Sequence, residues 1–244
     1  MLKNKHWIVP IVSLLLSISL PAFGRILFEE DFEGETIGNE PVNLELIEDC
    51  PVNRAEATIE VVSDPDGQSG KVAYMFSFAL YVPKVAGRDD WMDWYWEWDW
   101  RWDTASNPGN AYRIEGPSNW FHFTPRSDRT MIQFYQYNGN WNLIAQAEFP
   151  LELNTWYRFQ QIMQGDHHIV KIKERDDDTP FDAIEPAIEG DDGTYEKGAV
   201  GGLGTDAGST WVDNLVLYED PEDMLAVAHN SRLAVTWGKL KGER

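Results

Sequence analysis

The sequence is poor in cysteine, in positive charge and in long apolar runs. Cys50 is the only cysteine, so the chain cannot form an internal disulfide and has no second thiol for a metal site. We predict that Cys50 is a small buried residue. Lysine and arginine total 20 against 41 aspartates and glutamates, which gives a formal charge of −21. Such a surface repels phosphate backbones and anionic lipid, so nucleic acid and membrane surfaces are poor candidate partners.

One long apolar run is present, at the start of the chain. Lys3 and Lys5 precede an apolar stretch over residues 7–20, and Ala22-Phe23-Gly24 places small residues at the −3 and −1 positions of a cleavage site. This pattern predicts a signal peptide at residues 1–24 and a secreted protein, periplasmic or extracellular. Removal of the two lysines leaves a charge of −23. No later stretch is apolar enough to span a bilayer, so we expect no membrane insertion after signal removal.

Short alternating segments separated by turn signals fill most of the remaining chain. The strongest hairpin signal is Asn138-Gly139. Residues 39–56 and 175–197 are predicted as loops. Strands are predicted at residues 26–32, 57–62, 71–82, 91–103, 111–115, 120–124, 131–137, 141–148, 156–163, 168–174, 198–204 and 210–218. This spacing, without a convincing interior helix, predicts an antiparallel sandwich or barrel.

The end of the chain differs in composition from the body. Arg232, Lys239, Lys241 and Arg244 make it basic, whereas the body is acidic. We therefore predict one domain over residues 25–219 and a separate tail over residues 220–244. A packed helix, a disordered segment and an export or attachment signal all remain open for this tail.

Residues 91–103 hold the most regular pattern in the chain. Because successive side chains of a strand point to opposite faces, strict alternation predicts a long strand with one aromatic face and one charged face. In residues 71–82 the large apolar side chains fall on even positions, so we expect the even positions to face the core. If the two strands share a sheet and their parity matches, the tryptophans are buried between two sheets, which is the favoured interpretation. The alternative is an exposed platform for stacking on sugars. The tryptophans concerned are Trp94, Trp96, Trp98, Trp100 and Trp102.

Three segments resemble strands of a known fold family. Residues 28–34 (FEEDFEG) are similar to the opening strand, residues 154–159 (NTWYRF) to a recurring late strand, and residues 210–218 (TWVDNLVLY) to the closing strand of concanavalin A-like, LamG-type jelly-roll domains of secreted bacterial proteins. The resemblance covers residues 25–219 and implies two stacked antiparallel sheets, one of them curved into a groove. Members include sugar-binding modules, family 16-like glycoside hydrolases and polysaccharide lyases, so the fold alone does not select the function.

Non-catalytic carbohydrate binding is the function that we predict, with a polysaccharide or a cell-surface glycan as ligand. Aromatic side chains would stack on sugar rings while acids and amides bind the hydroxyls. A structural or adhesive cell-surface module without a sugar site is an alternative. The predicted ligand-binding residues form the charged face of residues 91–103: Tyr95, Glu97, Asp99, Arg101 and Asp103.

Two catalytic alternatives also remain open. Glu97-x-Asp99 matches the first half of the E-x-D-x-E motif of family 16 hydrolases, but Arg101 occupies the acid/base position. Residues i and i+2 of a strand lie about 7 Å apart, so an inverting pair fits better than a retaining pair, which needs roughly 5 Å. A lyase needs a cation or amide to neutralise a uronate carboxylate and a tyrosine or histidine to move a proton. Its candidate residues are Arg101, His122, Gln133 and Tyr135, although the R-x-E-L-R, Q-I-H and Y-F-K-x-G motifs of jelly-roll lyases are absent.

The resemblance further implies a structural calcium ion between the first strand's loop and the closing strand. Asp31, Glu33 and Gly34 lie where the loop would supply oxygen ligands, and Asp213 matches the aspartate of the closing strand. Hard oxygen ligands of this kind suit Ca²⁺. The alternative is that Asp213-Asn214 ends a hydrogen-bonding pattern at the edge of the sandwich.

Overall fold

The structure is a computed structural model, and it describes residues 25–68, 70–105, 107–126, 128–205 and 208–220. These residues form fifteen β-strands. Two short 3₁₀ turns, Arg88–Asp90 and Phe181–Ala183, lie among them. The described part of the chain has no helix of the length and hydropathy that a membrane span requires. The strands are β1 Ile26–Glu30, β2 Leu44–Leu46, β3 Thr58–Ser63, β4 Lys71–Phe76, β5 Leu80–Pro83, β6 Trp94–Trp102, β7 Gly109–Gly116, β8 Asn119–Arg126, β9 Met131–Tyr137, β10 Trp141–Glu148, β11 Tyr157–Gln164, β12 His167–Glu174, β13 Ile188–Asp191, β14 Ala199–Leu203 and β15 Ser209–Tyr218.

The strands form two antiparallel sheets that share one core. The first sheet has the order β13-β12-β11-β6-β15-β4-β3, and β1 also pairs with β15. The second sheet has the order β10-β9-β8-β7-β14-β5-β2. The prediction of an all-β, two-sheet jelly-roll sandwich is confirmed.

The tryptophans of β6 lie in the core between the sheets. β6 occupies the middle of the first sheet, between β11 and β15, and its five tryptophans are 0–4% exposed. Trp98 stacks on Phe159 of β11, with ring centroids 5.2 Å apart and planes 9° apart. Successive indoles from Trp96 to Trp102 meet edge to face at 5.9–6.0 Å. The favoured interpretation of buried tryptophans is therefore confirmed.

The parity expected for residues 71–82 is wrong. These residues form two strands in different sheets, and Ser77, with φ 62°, lies in the break between them. On β4 the odd residues Ala73 and Met75 join the central core, whereas Tyr74 faces outward. On β5 the even residues belong to a second core on the outer face of the second sheet. The large apolar side chains at the even positions of β5 thus face outward, where other segments cover them.

Residues 47–54, here called the cover segment, supply that covering. Asn53 anchors the segment: its Oδ1 accepts a hydrogen bond from the Leu80 N–H at 2.9 Å, and its Nδ2 donates to the Ile47 carbonyl at 2.7 Å. Cys50, which belongs to the segment, is 4% exposed, which confirms its predicted burial. The cover segment closes the β5 side of this outer face and leaves the side formed by β8, β9 and β10 open. The buried residues of the second core are Cys50, Phe78, Leu80, Val82, Ala111, Ile114, Trp120, Tyr137 and Ala199.

A narrow apolar cavity lies between the sheets beside the tryptophan stripe. Trp96, Trp98 and Trp100 line one wall of this cavity, and Gly109 and Gly202 line the other. Gly202 has no side chain to fill this space, so the core is incompletely filled at this point, whereas a methyl group at Gly109 would collide with the His122 ring.

Filling this cavity should stabilise the fold. A methyl group at Gly202 would lie 3.6 Å from the Met75 sulfur, an ordinary contact, whereas one at Gly201 would lie 2.3 Å from the Tyr81 carbonyl oxygen. We predict that Gly202→Ala raises the free energy of unfolding by about 0.5–1 kcal/mol and that Gly201→Ala lowers it. Urea denaturation of both variants checks this. Destabilisation by Gly202→Ala would show that the cavity cannot accept the methyl group.

Two strands lie in segments predicted as loops. β2 lies within residues 39–56 at one end of the second sheet, and β13 lies within residues 175–197 at one end of the first. Both are short edge strands, whose alternation extends over too few residues to be recognised. The predicted signal peptide and almost all of the predicted C-terminal tail lie outside the described residues, and the domain boundaries stay a prediction.

Candidate functional site

The predicted ligand-binding face of β6 lies on the outer surface of the first sheet. At its centre, Asp99 is fully buried and accepts hydrogen bonds from Arg158 Nε at 2.6 Å and Nη2 at 2.8 Å. A third hydrogen bond comes from Asn214 Nδ2 at 2.8 Å. Asp99 also raises the pKa of Arg158. This carboxylate is therefore fully engaged within the protein.

Glu97 and Tyr95 are engaged in the same way. Glu97 Oε1 accepts hydrogen bonds from Gln160 Nε2 at 2.8 Å and from the Tyr218 hydroxyl at 2.7 Å. Burial, with the negative charge of Glu97, raises the pKa of Tyr218 far above its usual range. Tyr95 stacks on the Tyr218 ring with centroids 5.4 Å apart. The Tyr95 hydroxyl also accepts a hydrogen bond from Gln164 Nε2 at 2.9 Å. Glu97, Asp99 and Tyr95 therefore each bond to other side chains of the protein.

Arg101 and Asp103 complete this face. The Arg101 guanidinium lies 4.7 Å above the Trp211 ring, and Asp103 is exposed. The five predicted residues share one face as expected, and they form a network with neighbouring strands. Their binding role stays a prediction, and the structure directs attention to the opposite side of the sandwich.

Three of the four lyase candidates meet on the outer face of the second sheet. His122 on β8 lies directly opposite Tyr135 on β9, and the Tyr135 hydroxyl donates to Gln133 Oε1 at 3.0 Å. Arg101 is separated from them by the whole sandwich. Arg126, two residues beyond Thr124 on the same face of β8, lies in their neighbourhood instead.

His122 is a neutral hydrogen-bond acceptor. Its Nδ1 lies 3.1 Å from the Asn110 carbonyl oxygen, and a carbonyl can only accept, so Nδ1 carries the proton and Nε2 is the acceptor. Burial lowers the pKa of His122 to about 3. His122 is thus a buried, hydrogen-bonded histidine, and the same side chain also lines a surface depression.

Two adjoining depressions of about 560 and 620 Å³ lie above these residues and are together called the outer groove. They share Phe78, Asn107 and Trp141. The cover segment forms one side, and Trp141, the first residue of edge strand β10, forms the other. The remaining lining residues are Pro51, Val52, Arg54, His122, Thr124, Arg126 and Tyr135.

Trp141 is the main exposed aromatic surface of this groove. Its side chain is 42% exposed, yet four rings hold it: Tyr137 at 4.7 Å, His122 at 5.1 Å, Trp120 at 5.3 Å and Tyr135 at 5.9 Å between centroids. A ring fixed in this way loses little conformational entropy when a ligand packs on it. Trp141 was not among the ligand-binding residues predicted from the sequence, although the Asn138-Gly139 turn sets the register that places it opposite Tyr137.

No protein-family model matches the chain, and no curated protein sequence matches it significantly. Solved structures do match. Domain 4 of AbnA, an extracellular arabinanase from Geobacillus stearothermophilus, aligns with a TM-score of 0.52 and 12% identity over 82% of this chain and 96% of that domain. The chain has a concanavalin A-like jelly-roll fold.

Two further jelly rolls are similar. The catalytic domain of a family 131 glycoside hydrolase from Coprinopsis cinerea has a TM-score of 0.50 and 9% identity over 81% of this chain and 96% of its own. The carbohydrate-binding module CBM66 from Bacillus subtilis has a TM-score of 0.46 and 14% identity, with 73% and 92% covered. At these identities the similarity establishes the fold and no function.

The four residues of the predicted calcium site lie in the loop after β1 and on β15. The β1–β15 register, with Glu30 opposite Leu215, does bring the loop after β1 close to Asp213. However, Glu33 Oε1 accepts the Lys71 N–H at 2.8 Å, and Lys71 Nζ donates to the Glu33 carbonyl at 2.7 Å. Among the described residues, no three His, Cys, Asp or Glu side chains are placed to hold a metal ion. Calcium binding stays a prediction, which melting temperatures in CaCl₂ and in EDTA can test; a calcium-dependent rise would support it.

Two buried histidines should make the jelly roll sensitive to acid. Besides His122, His168 is fully buried, with Nδ1 2.7 Å from the Tyr112 hydroxyl, and burial lowers the pKa of His168 to about 4. In the unfolded chain a histidine binds its proton near pH 6.5. Between about pH 6.5 and 4 the unfolded state therefore binds more protons, and stability falls as the pH falls.

We predict that His122→Gln and His168→Gln each flatten this dependence. Urea unfolding from pH 7 to pH 4 measures it, with His167→Gln, at a histidine that is only half-buried, as the control. An unchanged slope in both buried-histidine variants would contradict the assignment, because carboxylates alone would then explain the loss of stability in acid.

Proposed function

We propose that the protein is a carbohydrate-binding module and that its ligand, a polysaccharide or a cell-surface glycan, lies in the outer groove. The observation that carries this proposal is the exposed indole of Trp141, held by four rings at the wall of a polar groove. The C–H face of a sugar ring packs favourably on such a surface. A mostly preformed depression with a few directed polar groups is typical of a small-ligand site.

Amide side chains on the same face of β9 and β10 suit the hydroxyl groups of a sugar. They pair four residues along β9 from Tyr137, the partner of Trp141. Gln133 Nε2 donates to Gln146 Oε1 at 3.2 Å and Gln133 Oε1 accepts from the Tyr135 hydroxyl at 3.0 Å, which forms a polar row across β9 and β10. Amides and hydroxyls both donate and accept, so this row matches the hydrogen-bonding groups of a sugar. His122 Nε2 adds a further acceptor.

The comparisons are compatible with this proposal. Domain 4 of AbnA, which shares the fold, was solved in complex with arabinotriose. Secretion fits a ligand outside the cell, and we infer it from the predicted signal peptide at residues 1–24. Membership of the LamG type is likewise an inference, from the three resembling segments.

Affinity electrophoresis of the purified protein in gels containing neutral or acidic polysaccharides tests the proposal. Retardation by at least one polysaccharide, abolished by soluble oligosaccharide of the same type, is the expected result. Failure to bind any of them would favour the structural or adhesive module. That result would contradict the assignment of the outer groove as a carbohydrate site.

A polysaccharide lyase is the second candidate, and the convergence of His122, Gln133 and Tyr135 beside Arg126 favours it. In such a reaction the amide or guanidinium would neutralise the uronate carboxylate, and Tyr135 or His122 would take the C5 proton. The electron pair then forms the C4–C5 double bond as the C4–O bond breaks, and the departing oxygen takes a proton. New absorbance at about 235 nm on uronate polymers would demonstrate this elimination. For the hydrolase alternative, the internal bonds of Glu97 and Asp99 offer no comparable support.

A further inference from the structure

The outer groove differs in charge from the rest of the molecule. The chain has about twice as many acidic as basic residues. Among the ten residues that line the groove, Arg54 and Arg126 are charged and none is aspartate or glutamate. Other depressions in the described part of the chain follow the overall composition. One is lined by Glu29, Glu30, Asp31 and Glu35, and another by Asp89, Asp90, Glu115 and Lys197.

We propose that the outer groove selects acidic sugars, with Arg54 and Arg126 binding the carboxylate of a uronate-containing polysaccharide whose ring stacks on Trp141. This proposal rests on the proposed carbohydrate-binding function and narrows its ligand class. The overall charge opposes an anionic polymer, and the local positive charge of the groove overcomes that opposition at short range because salt screens the distant acids.

Arg126 already shows the geometry that a carboxylate requires. Its Nε and Nη2 donate to the two carboxylate oxygens of Asp128, each at 3.0 Å. Asp128 raises the pKa of Arg126, so the guanidinium stays charged. The Asp128 side chain is 31% exposed and does not line the groove. Arginine binds the carboxylate of a ligand through a two-point pair of this kind. Asp128 therefore holds the Arg126 side chain in place and also competes with a ligand carboxylate for its guanidinium group.

Arg54 lies at the other end of the groove. Its main-chain N–H donates to the Phe78 carbonyl at 2.7 Å, which fastens the cover segment to the groove floor. Each arginine lines one of the two depressions, and both depressions include Trp141. A sugar stacked on Trp141 would therefore lie where the two depressions lined by these arginines meet.

Ring stacking and charge recognition are separable in this arrangement. His122 contributes no positive charge above about pH 4, because burial lowers its pKa to about 3. The charge of the groove lining is thus set by the two arginines, and replacing one should change the preference for acidic sugars without removing the stacking surface.

Polygalacturonate and its fully methyl-esterified form make a matched pair of probes, because esterification removes the charge and keeps the backbone. Alginate, a neutral β-glucan and arabinan complete the panel. In affinity electrophoresis we expect the protein to bind polygalacturonate or alginate more tightly than the neutral polymers, with weaker binding at high salt. Arg126→Gln should weaken binding to the acidic polymer roughly tenfold and should weaken binding to neutral polymers much less. Asp128→Asn should strengthen binding to the acidic polymer.

The outcomes separate this proposal from the one on which it rests. Binding to neutral polymers with equal or weaker binding to acidic ones would overturn the selectivity and leave carbohydrate binding intact. Tight binding to an acidic polymer that neither Arg54→Gln nor Arg126→Gln weakens would overturn the assignment of the arginines. Binding to none of the polymers would overturn both proposals. Circular dichroism of each variant establishes that it is folded.

Discussion

Replacing Trp141 with alanine is expected to weaken polysaccharide binding by about thirtyfold, or about 2 kcal/mol, because it removes the stacking surface of the outer groove. The indole is 42% exposed and packs on the wall of the groove, so the fold should lose little when it is removed. The dissociation constant for the tightest-binding polysaccharide, measured by titration calorimetry with defined oligosaccharides, gives the size of the effect.

Leu143→Ala is the matched control for this experiment. Leu143 lies on the same edge strand, two residues after Trp141, and is 49% exposed, but it does not line the groove. This variant should bind like the parent protein. Equal binding by a folded Trp141→Ala variant would show that the ligand lies elsewhere, and the charged face of β6 would then be the next surface to test.

Replacing Trp98 with alanine should have the opposite profile and lower the free energy of unfolding by about 3–5 kcal/mol. Trp98 is 3% exposed, stacks on Phe159 and meets two neighbouring indoles, so its removal leaves a large void at the centre of the sandwich. Because a domain of this size has only about 5–15 kcal/mol of stability, the variant should unfold at much lower urea concentrations.

Trp98→Phe provides a test of the mechanism, because it keeps a ring in the stack and should recover a large part of the loss. Trp141→Ala serves as the second comparison, with a small effect on unfolding. If Trp98→Ala and Trp141→Ala destabilised the protein equally, the distinction between a core tryptophan and a groove tryptophan would be wrong.

The strand content could be predicted from the sequence because alternation and turn chemistry are local. The bounds of β9 and β10 match the predicted segments, since the Asn138-Gly139 turn fixes both the end of one strand and the start of the next. The alternating tryptophans of β6 likewise identified a strand with two unlike faces. The order of strands in a sheet is not a local property, and it determines which faces are buried and where the groove lies.

The outward orientation of the large side chains on residues 71–82 illustrates this limit. Their pattern indicates one apolar face, but it cannot indicate that a break at Ser77 divides the segment between two sheets. Nor can it show that the cover segment, some thirty residues earlier in the chain, buries β5 from outside. The tryptophans of β6 are therefore buried as predicted, but the parity of residues 71–82 is not the reason.

The outer groove could not be predicted for the same reason. It combines Arg54, Phe78, Asn107, His122 and Trp141, which are dispersed over the chain and come together only through the order of the second sheet and the path of the cover segment. His122, Gln133 and Tyr135 were recognised as chemically suitable side chains, and the register of β8 with β9 brings them together.

The position of β15 has a consequence for how the chain reaches this structure. β15 is the last described strand, and it pairs with β1, β4 and β6. The centre of the first sheet therefore cannot close until residues 209–218 have been made. Contacts between such distant parts of a chain make folding slow, on the order of milliseconds to seconds for all-β proteins. A nascent chain that lacks β15 would leave β6 with only one of its two neighbouring strands, so the synthesis of β15 is the step that allows the centre of the first sheet to close.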